Sequence, residues 1–210
     1  MPLVKLNEIG EESAWALWVV RESEEELAYR AMESCPEEIV SKQKRLEWLA
    51  GKALIKTLVE EVGLEYLGLR KDEYGKPFLK EHPHQISLSH SFPYVAAQIH
   101  PFTPVGIDVE QPKEKLLKVA SRVLSPAELQ DAGTDIVKHC IYWCAKETMY
   151  KIYGKRGLHF ENQLNIAPFR IQQQGELQGT ITTDVFTSHV VLSYTVQMDY
   201  VLVYTNFSEA

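Results

Sequence analysis

Cysteine and long hydrophobic segments are scarce in this 210-residue sequence. The three cysteines, Cys35, Cys140 and Cys144, do not have the spacing of a disulfide framework, and no second His or Cys pair completes a zinc pattern. We therefore expect reduced thiols that serve as packing residues. The longest apolar runs, such as residues 14–20, fall far short of the roughly 20 residues that cross a bilayer. These shortages argue against a disulfide-rich secreted scaffold and predict no association with a membrane.

Positive charge is in deficit as well, since the formal net charge is −7. A non-specific nucleic-acid binder carries a basic footprint, so this balance argues against nucleic acid as a partner. Met1–Gly10 lacks the basic and apolar regions of a signal peptide, which predicts a cytoplasmic protein. With 45% hydrophobic and 24% charged residues, the composition is that of a globular chain with a sizeable core.

Periodicity and turn signals predict two halves of mixed helix and strand. A short proline-containing connector at residues 101–104 separates them, so we place the boundary between residues 1–103 and 104–210. Each half contains helical segments and an antiparallel hairpin, which indicates an α+β fold. The expected helices cover residues 22–32, 36–62, 113–123, 125–133 and 136–153, and the expected strands lie within residues 14–20, 86–91, 93–99, 105–110 and 165–207.

The central stretch Val105–Glu110 is an apolar run that ends in two carboxylates. In a strand, Asp108 and Glu110 point to the same face. Two carboxylates on one face repel each other unless a cation lies between them, and Mg²⁺ prefers such oxygen ligands. The alternative interpretation is a strand end that enters a polar turn with both acids solvated.

Two other stretches combine charged and apolar residues. In the helix predicted over 136–153, Trp143, Glu147 and Lys151 lie on one face at i, i+4 and i+8. Such a Glu–Lys spacing is also the commonest surface pair on helices. His90 ends the strand predicted over 86–91, where a lone histidine is more often structural than ligand-binding.

Four motifs stand in order along the chain: Gly75-Lys76-Pro77, Ser89-His90-Ser91, Gly106-Ile107-Asp108-Val109-Glu110 and the segment Trp143–Lys151. Together they resemble the signatures of the 4'-phosphopantetheinyl transferases, specifically the larger surfactin-synthetase-activating type. The resemblance implies a pseudo-dimer of two similar α+β halves, each with helices packed on an antiparallel sheet. It also implies that coenzyme A and Mg²⁺ bind in the cleft between the halves. Because the two halves are fused in one chain, we expect a monomer.

The same resemblance implies an enzyme that transfers the phosphopantetheine arm of coenzyme A to a serine of an acyl or peptidyl carrier protein. The Mg²⁺-dependent reaction would release 3',5'-adenosine bisphosphate. Asp108, Glu110 and Glu147 correspond to the Mg²⁺ ligands. Lys151 corresponds to the lysine that contacts the diphosphate, and we expect it and Glu147 to be the catalytic residues. Either Glu147 or a metal-bound water would remove the proton of the serine hydroxyl.

Coenzyme A would be held mainly by basic side chains of the first half. By resemblance, Lys76 and His90 contact its phosphates. Glu47 falls where relatives have an arginine, so Lys44, Arg45 and Lys52 are the alternatives for the 3'-phosphate. These lysines and the arginine also fit an ordinary solvated helix face.

A basic, leucine-bearing helix predicted over residues 113–123 would give an acidic carrier protein a docking surface, although a solvated amphipathic helix explains it equally well. Two other functions stay open. One is a catalytically silent protein that binds coenzyme A or a nucleotide, and the other is an unrelated two-carboxylate metal hydrolase. The sequence does not identify the carrier protein or the biosynthetic pathway.

Overall fold

The computed structural model describes residues 3–207, and the chain divides into two compact units between Val105 and Gly106. The division predicted from the connector lies two residues earlier. Each unit contains an antiparallel sheet and helices that pack on it, which confirms the α+β fold class. The pseudo-dimer stays a prediction. Within residues 3–207, no helix is long and apolar enough to cross a membrane.

The first unit contains a four-stranded antiparallel sheet in the order β1-β2-β6-β5 and a two-stranded β3-β4 ribbon. The helix α2 packs on the four-stranded sheet and buries an apolar stripe against it, as its helical periodicity predicts. The elements are β1 (Leu3–Gly10), β2 (Ser13–Val19), α1 (Glu24–Ala31), α2 (Lys42–Glu61), β3 (Leu69–Lys71), β4 (Pro77–Leu79), β5 (Gln85–Ser91) and β6 (Tyr94–His100).

The helix expected to begin at Pro36 begins only at Lys42, so that part of the prediction is wrong. Residues 36–40 form a turn flanked by irregular chain instead. The guanidinium of Arg45 donates to the carbonyls of Pro36 and Ile39 and so satisfies acceptors that a continuous helix would have bonded itself. Strand β1 was not predicted, because its sequence alternates only weakly between apolar and polar residues.

The second unit contains a five-stranded antiparallel sheet in the order β7-β11-β10-β9-β8. The long helix α5 packs on this sheet, and its buried face includes Cys140 and Cys144 as unpaired packing residues, as expected. The elements are β7 (Ile107–Glu110), α3 (Lys115–Val119), α4 (Pro126–Ala132), α5 (Ile136–Tyr153), α6 (Phe160–Gln163), β8 (Leu164–Ile166), β9 (Gln174–Thr182), β10 (Thr187–Val196) and β11 (Val201–Thr205).

The basic helix predicted over residues 113–123 is shorter than expected. Only Lys115–Val119 is α-helical, and Ala120–Arg122 continues as a 3-10 turn. The turn predicted at residues 174–175 is wrong, because β9 begins there. The turns predicted at residues 183–184 and 198–199 are confirmed as the connections that join β9 to β10 and β10 to β11.

Candidate functional site

A lysine and an aspartate join α5 to β7 at the centre of the second unit. Lys151 Nζ lies 2.8 Å from Asp108 Oδ1 and 2.8 Å from the carbonyl oxygen of Ile107, and it donates to both. The Asp108 side chain is only 8% exposed, whereas that of Lys151 is 24% exposed. Two of the residues that the sequence assigns to one site therefore form a direct ion pair.

A glycine allows α5 to lie directly against β7. A Cβ atom added at Gly106 would lie 2.1 Å from the carbonyl oxygen of Thr148, much closer than any real contact. Thr148 follows Glu147 in α5, and Gly106 precedes Ile107 and Asp108 in the chain. The absence of a side chain at this one position thus sets the spacing between the acidic strand and the helix that carries Glu147 and Lys151.

Glu147 is partly buried and, within residues 3–207, its carboxylate takes part in no hydrogen bond or ion pair. Burial and, to a smaller extent, the negative charge of Asp108 raise the pKa of Glu147 to about 7, against the opposing positive charge of Lys151. A carboxyl group in this state is half protonated near neutral pH. Glu147 is therefore suited to accept a proton or to bind a cation that compensates its charge.

Glu110 lies two residues beyond Asp108 in β7, on the same face of the strand. Its Oε2 lies 3.2 Å from Nζ of Lys115, and its Oε1 accepts a hydrogen bond of 2.8 Å from the backbone N–H of Gln111. The Lys115 side chain is 59% exposed, so this pair is held weakly.

The predicted Mg²⁺ ligands do not form a closed cage. Among the residues described, no three His, Cys, Asp or Glu side chains gather closely enough to hold a metal ion. The chemistry of the set nevertheless fits Mg²⁺, because Asp108, Glu110 and Glu147 offer hard carboxylate oxygens. Among residues 3–207, the carboxylate of Glu147 has no hydrogen-bond or ion-pair partner, whereas Asp108 and Glu110 each contact a lysine.

A second lysine of α5 has a structural role that the sequence did not indicate. Lys146 is fully buried, and its Nζ donates to the carbonyls of Val123 and Phe160 at 2.8 and 2.9 Å. Nζ also lies 2.6 Å from Oε2 of Glu128, which forms a capping box with Ser125 at the start of α4. This network fixes α5 at the residue next to Glu147. The capping box was the one available signal, and it revealed Glu128 but not its partner.

In the first unit, His90 ends β5 next to a buried glutamate of α2. Its Nδ1 lies 3.3 Å from Oε2 of Glu47, and the His90 side chain is 42% exposed. The same oxygen accepts from Nζ of Lys44 at 2.6 Å. Glu47 thus contacts two of the residues that the sequence assigns to coenzyme A.

Lys76 follows a tight turn. Oδ1 of Asp72 accepts the backbone N–H groups of Tyr74 and Lys76, both at 2.9 Å, and Gly75 adopts a φ of 89° that other residues disfavour. Nζ of Lys76 lies 5.7 Å from the centre of the Phe78 ring. Burial lowers the pKa of Lys76, against the opposing charge of Asp72.

The other two basic candidates are engaged with acids of the first unit. Arg45 forms an ion pair with Glu24 in addition to its two backbone contacts. Lys52 lies 2.9 Å from Glu33 and 5.0 Å from the centre of the Trp48 ring. In the described structure, neither Arg45 nor Lys52 forms a hydrogen bond or ion pair with Glu47, Lys44 or His90. The assignment of Arg45 and Lys52 to coenzyme A stays a prediction.

Comparison with known proteins gives one family. Residues 104–205 match the family model described as the 4'-phosphopantetheinyl transferase superfamily. The chain is 32% identical over 118 residues to a 4'-phosphopantetheinyl transferase of Bacillus subtilis, and the alignment covers 51% of each protein. It is 30% identical over 140 residues to the 4'-phosphopantetheinyl transferase Sfp of Bacillus subtilis strain 168, with 61% of this chain and 60% of Sfp covered.

A third relative is the 4'-phosphopantetheinyl transferase gsp of Aneurinibacillus migulanus, which is 34% identical over 115 residues that cover 51% of this chain and 48% of gsp. The chain thus spans about half the length of the curated relatives that it matches. The matched segment contains Asp108, Glu147 and Lys151, the residues that the structure brings together. Residues 104–205 thus match the 4'-phosphopantetheinyl transferase superfamily, the family that the sequence motifs resemble.

Proposed function

We propose that this protein transfers the 4'-phosphopantetheine group of coenzyme A to a serine hydroxyl of an acyl or peptidyl carrier protein and releases 3',5'-adenosine bisphosphate. The observation that carries the proposal is the arrangement of Glu147, Asp108 and Lys151, in which a carboxyl group of near-neutral pKa lies beside an ion pair. The match of residues 104–205 to the family model supports the same reaction.

Asp108, Glu110 and Glu147 are the residues that would hold Mg²⁺. When bound, the ion would neutralise negative charge that develops on the diphosphate of coenzyme A. Lys151 adds a positive point charge beside Asp108 and takes no covalent part in the reaction. The Lys151 side chain is 24% exposed, so it is able to donate to a diphosphate oxygen while Asp108 holds it in place.

Glu147 is the base that this chain supplies. Its carboxylate accepts the proton of the attacking serine hydroxyl, either directly or through a water molecule. The bond from the serine oxygen to the phosphorus of the phosphopantetheine group forms as the bond to the 3',5'-adenosine bisphosphate breaks. The raised pKa of Glu147 applies to the carboxylate without Mg²⁺. A bound cation would lower this pKa, so transfer of the proton through a water molecule fits better than direct transfer.

The surface around α3 supports an acidic carrier protein as the partner. Lys115, Lys118 and Leu117 are exposed on this short helix, and Arg122 is exposed just after it. The chain as a whole carries a net charge of −7, so a local positive surface is needed to attract an acidic partner.

Release of 3',5'-adenosine bisphosphate tests the proposal. The wild type should release one equivalent for each carrier molecule that it consumes, in the presence of Mg²⁺. Asp108→Asn and Glu147→Gln should reduce that rate at least 100-fold, the usual effect of removing a general base or a metal ligand. An exposed control on the same unit, Glu114→Gln, should keep the wild-type rate. Equal rates in all four proteins would contradict the proposal.

One observation favours a second function, a catalytically silent coenzyme A-binding protein. Lys151 and Lys115 already contact Asp108 and Glu110, so these two acids have cationic partners without a metal. Calorimetry separates the two functions. Coenzyme A affinity that is the same in Mg²⁺ and in EDTA, together with no transfer to any carrier, would favour the silent protein.

A further inference from the structure

Glu47 is an unusual residue for a phosphate-binding surface. Its side chain is 3% exposed, and one of its oxygens contacts two basic side chains, with Lys44 Nζ at 2.6 Å and His90 Nδ1 at 3.3 Å from Oε2. Its other oxygen, Oε1, accepts a hydrogen bond of 2.8 Å from the side chain of Gln43. A buried carboxylate is costly unless it is paired and hydrogen-bonded, and here both conditions are met.

The backbone is built to bring Glu47 and His90 together. Gly51 lies one helical turn after Glu47, and Leu88 lies two residues before His90 on the same face of β5. A Cβ atom added at Gly51 would lie 2.9 Å from a methyl carbon of Leu88. The glycine therefore allows α2 to lie close to the face of β5 that carries His90.

The carboxylate of Glu47 is ionised. Burial would raise its pKa, but hydrogen bonds from Gln43 and Lys44 and the nearby ring of His90 outweigh burial and lower it. The His90 ring is 42% exposed while the carboxylate behind it is buried, so a ligand reaches the ring and not the carboxylate. Strand β6 places only Val95 opposite His90, and β4 contributes no ionisable side chain.

We propose that Glu47 is a positioning residue for His90. Its Oε2 faces Nδ1–H at 3.3 Å, fixes the orientation of the ring and leaves Nε2 on the exposed side, where the doubly protonated ring donates Nε2–H to a phosphate group of coenzyme A. A carboxylate behind a histidine holds the ring in one orientation and one tautomer in many binding sites. The inference rests on the proposed function in one respect, since it takes coenzyme A as the ligand.

A double-mutant cycle on coenzyme A affinity tests the proposal, with calorimetry of the full-length protein as the readout. Glu47→Gln should weaken binding on the order of tenfold, which corresponds to 1.4 kcal/mol. In a His90→Gln background, the same change should weaken binding less than twofold. A structural role of Glu47 would give equal losses in both backgrounds and would overturn the proposal.

A matched control lies on the same helix. Glu60 pairs with Lys56 at 2.8 Å in an i, i+4 arrangement and does not contact His90. Glu60→Gln should leave coenzyme A affinity unchanged in either background. If Glu47→Gln does not fold, Glu47→Asp takes its place, because it keeps the buried charge and moves it away from the ring. The expected loss and the expected non-additivity are the same.

The wild type offers a test that needs no variant. In ¹⁵N spectra of the neutral His90 ring, Nδ1 should carry the proton, because Glu47 accepts from it. An Nε2–H tautomer would overturn the proposal.

Transfer activity, measured separately by the mass of the carrier, distinguishes the two proposals. Coupling between Glu47 and His90 without any transfer would leave the positioning role standing and contradict the proposed function. Transfer to a carrier without coupling between Glu47 and His90 would support the proposed function and contradict the positioning role. A wild type that does not bind coenzyme A would contradict both proposals.

Discussion

Replacing Glu147 by glutamine should stabilise the protein at the expense of its activity. The pKa of Glu147 is about 7 in the folded protein against an ordinary value of 4.5. The folded state therefore binds this proton more tightly than the unfolded state, and the free energy of unfolding falls as pH rises from about 4.5 to about 7. The difference of about 2.5 units corresponds to about 3 kcal/mol. This cost is absent below pH 4.5 and fully present above pH 7.

Urea unfolding in EDTA at pH 4, 6 and 8 measures the effect. Glu147→Gln should be more stable than the wild type by up to about 3 kcal/mol at pH 8, and the difference should shrink to near zero at pH 4. Glu114→Gln removes an exposed charge of the same sign and reports the general effect of net charge. A difference that does not change with pH, or a Glu147→Gln variant that is less stable at pH 8, would refute the reasoning.

Mg²⁺ extends the same experiment. An ion that binds only the folded state stabilises it in proportion to the logarithm of its concentration. Mg²⁺ should therefore stabilise the wild type at pH 8 and stabilise Glu147→Gln much less, because the variant lacks one of the proposed ligands.

Three further substitutions test the framework around Glu147. Gly106→Ala should lower the free energy of unfolding in urea by about 1–3 kcal/mol and should lower transfer activity, because its methyl group would clash with the carbonyl of Thr148. The control is Gly10→Ala, where a Cβ atom has ordinary space, and its free energy of unfolding should stay within about 0.5 kcal/mol of the wild type. Lys146→Met should cost about 3–5 kcal/mol in urea unfolding, because it leaves a buried carboxylate unpaired, and equal stability would contradict the role of this lysine. Lys151→Met should slow transfer more than tenfold while the helix stays folded by circular dichroism, since the lost charge contacts the diphosphate in the proposed reaction; an unchanged rate would exclude that contact.

The sequence predicted those elements whose signals are local. Helix α5 was expected over Ile136–Tyr153 and is found there. Its first turn is capped by Asp135, whose Oδ1 accepts the backbone N–H of Lys138 at 3.0 Å, and Gly154 ends it with a φ of 71°. The β5–β6 hairpin was recognised for the same reason, since apolar alternation and a turn suffice to identify it.

The start of α2 and the roles of its charged residues depended on partners far along the chain. The guanidinium of Arg45 donates hydrogen bonds to the loop that precedes its own helix, and helical propensity does not predict such contacts. Glu47 was noticed only as a departure from the family, whereas its burial against His90 is a tertiary contact. Long-range contacts of this kind decide which charged side chains are buried, and a single sequence carries little information about them.

In the candidate site too, the sequence predicted local geometry but not the tertiary contacts. Spacing alone placed Asp108 and Glu110 on one face of a strand, and Glu147 and Lys151 on one face of a helix. The sequence singled out Lys151, which contacts Asp108, but gave no sign that Lys146 is buried in the same helix for structural reasons. The two lysines differ only in what packs around them.

The intact mass of an apo carrier protein tests the central claim most directly. The wild-type protein is incubated with coenzyme A and a panel of apo acyl and peptidyl carrier proteins, in Mg²⁺ or in EDTA. The account predicts that at least one carrier gains the mass of one phosphopantetheine group in Mg²⁺, with little gain in EDTA and none with Glu147→Gln. No mass gain on any carrier in the panel, with coenzyme A shown to be bound, would contradict it.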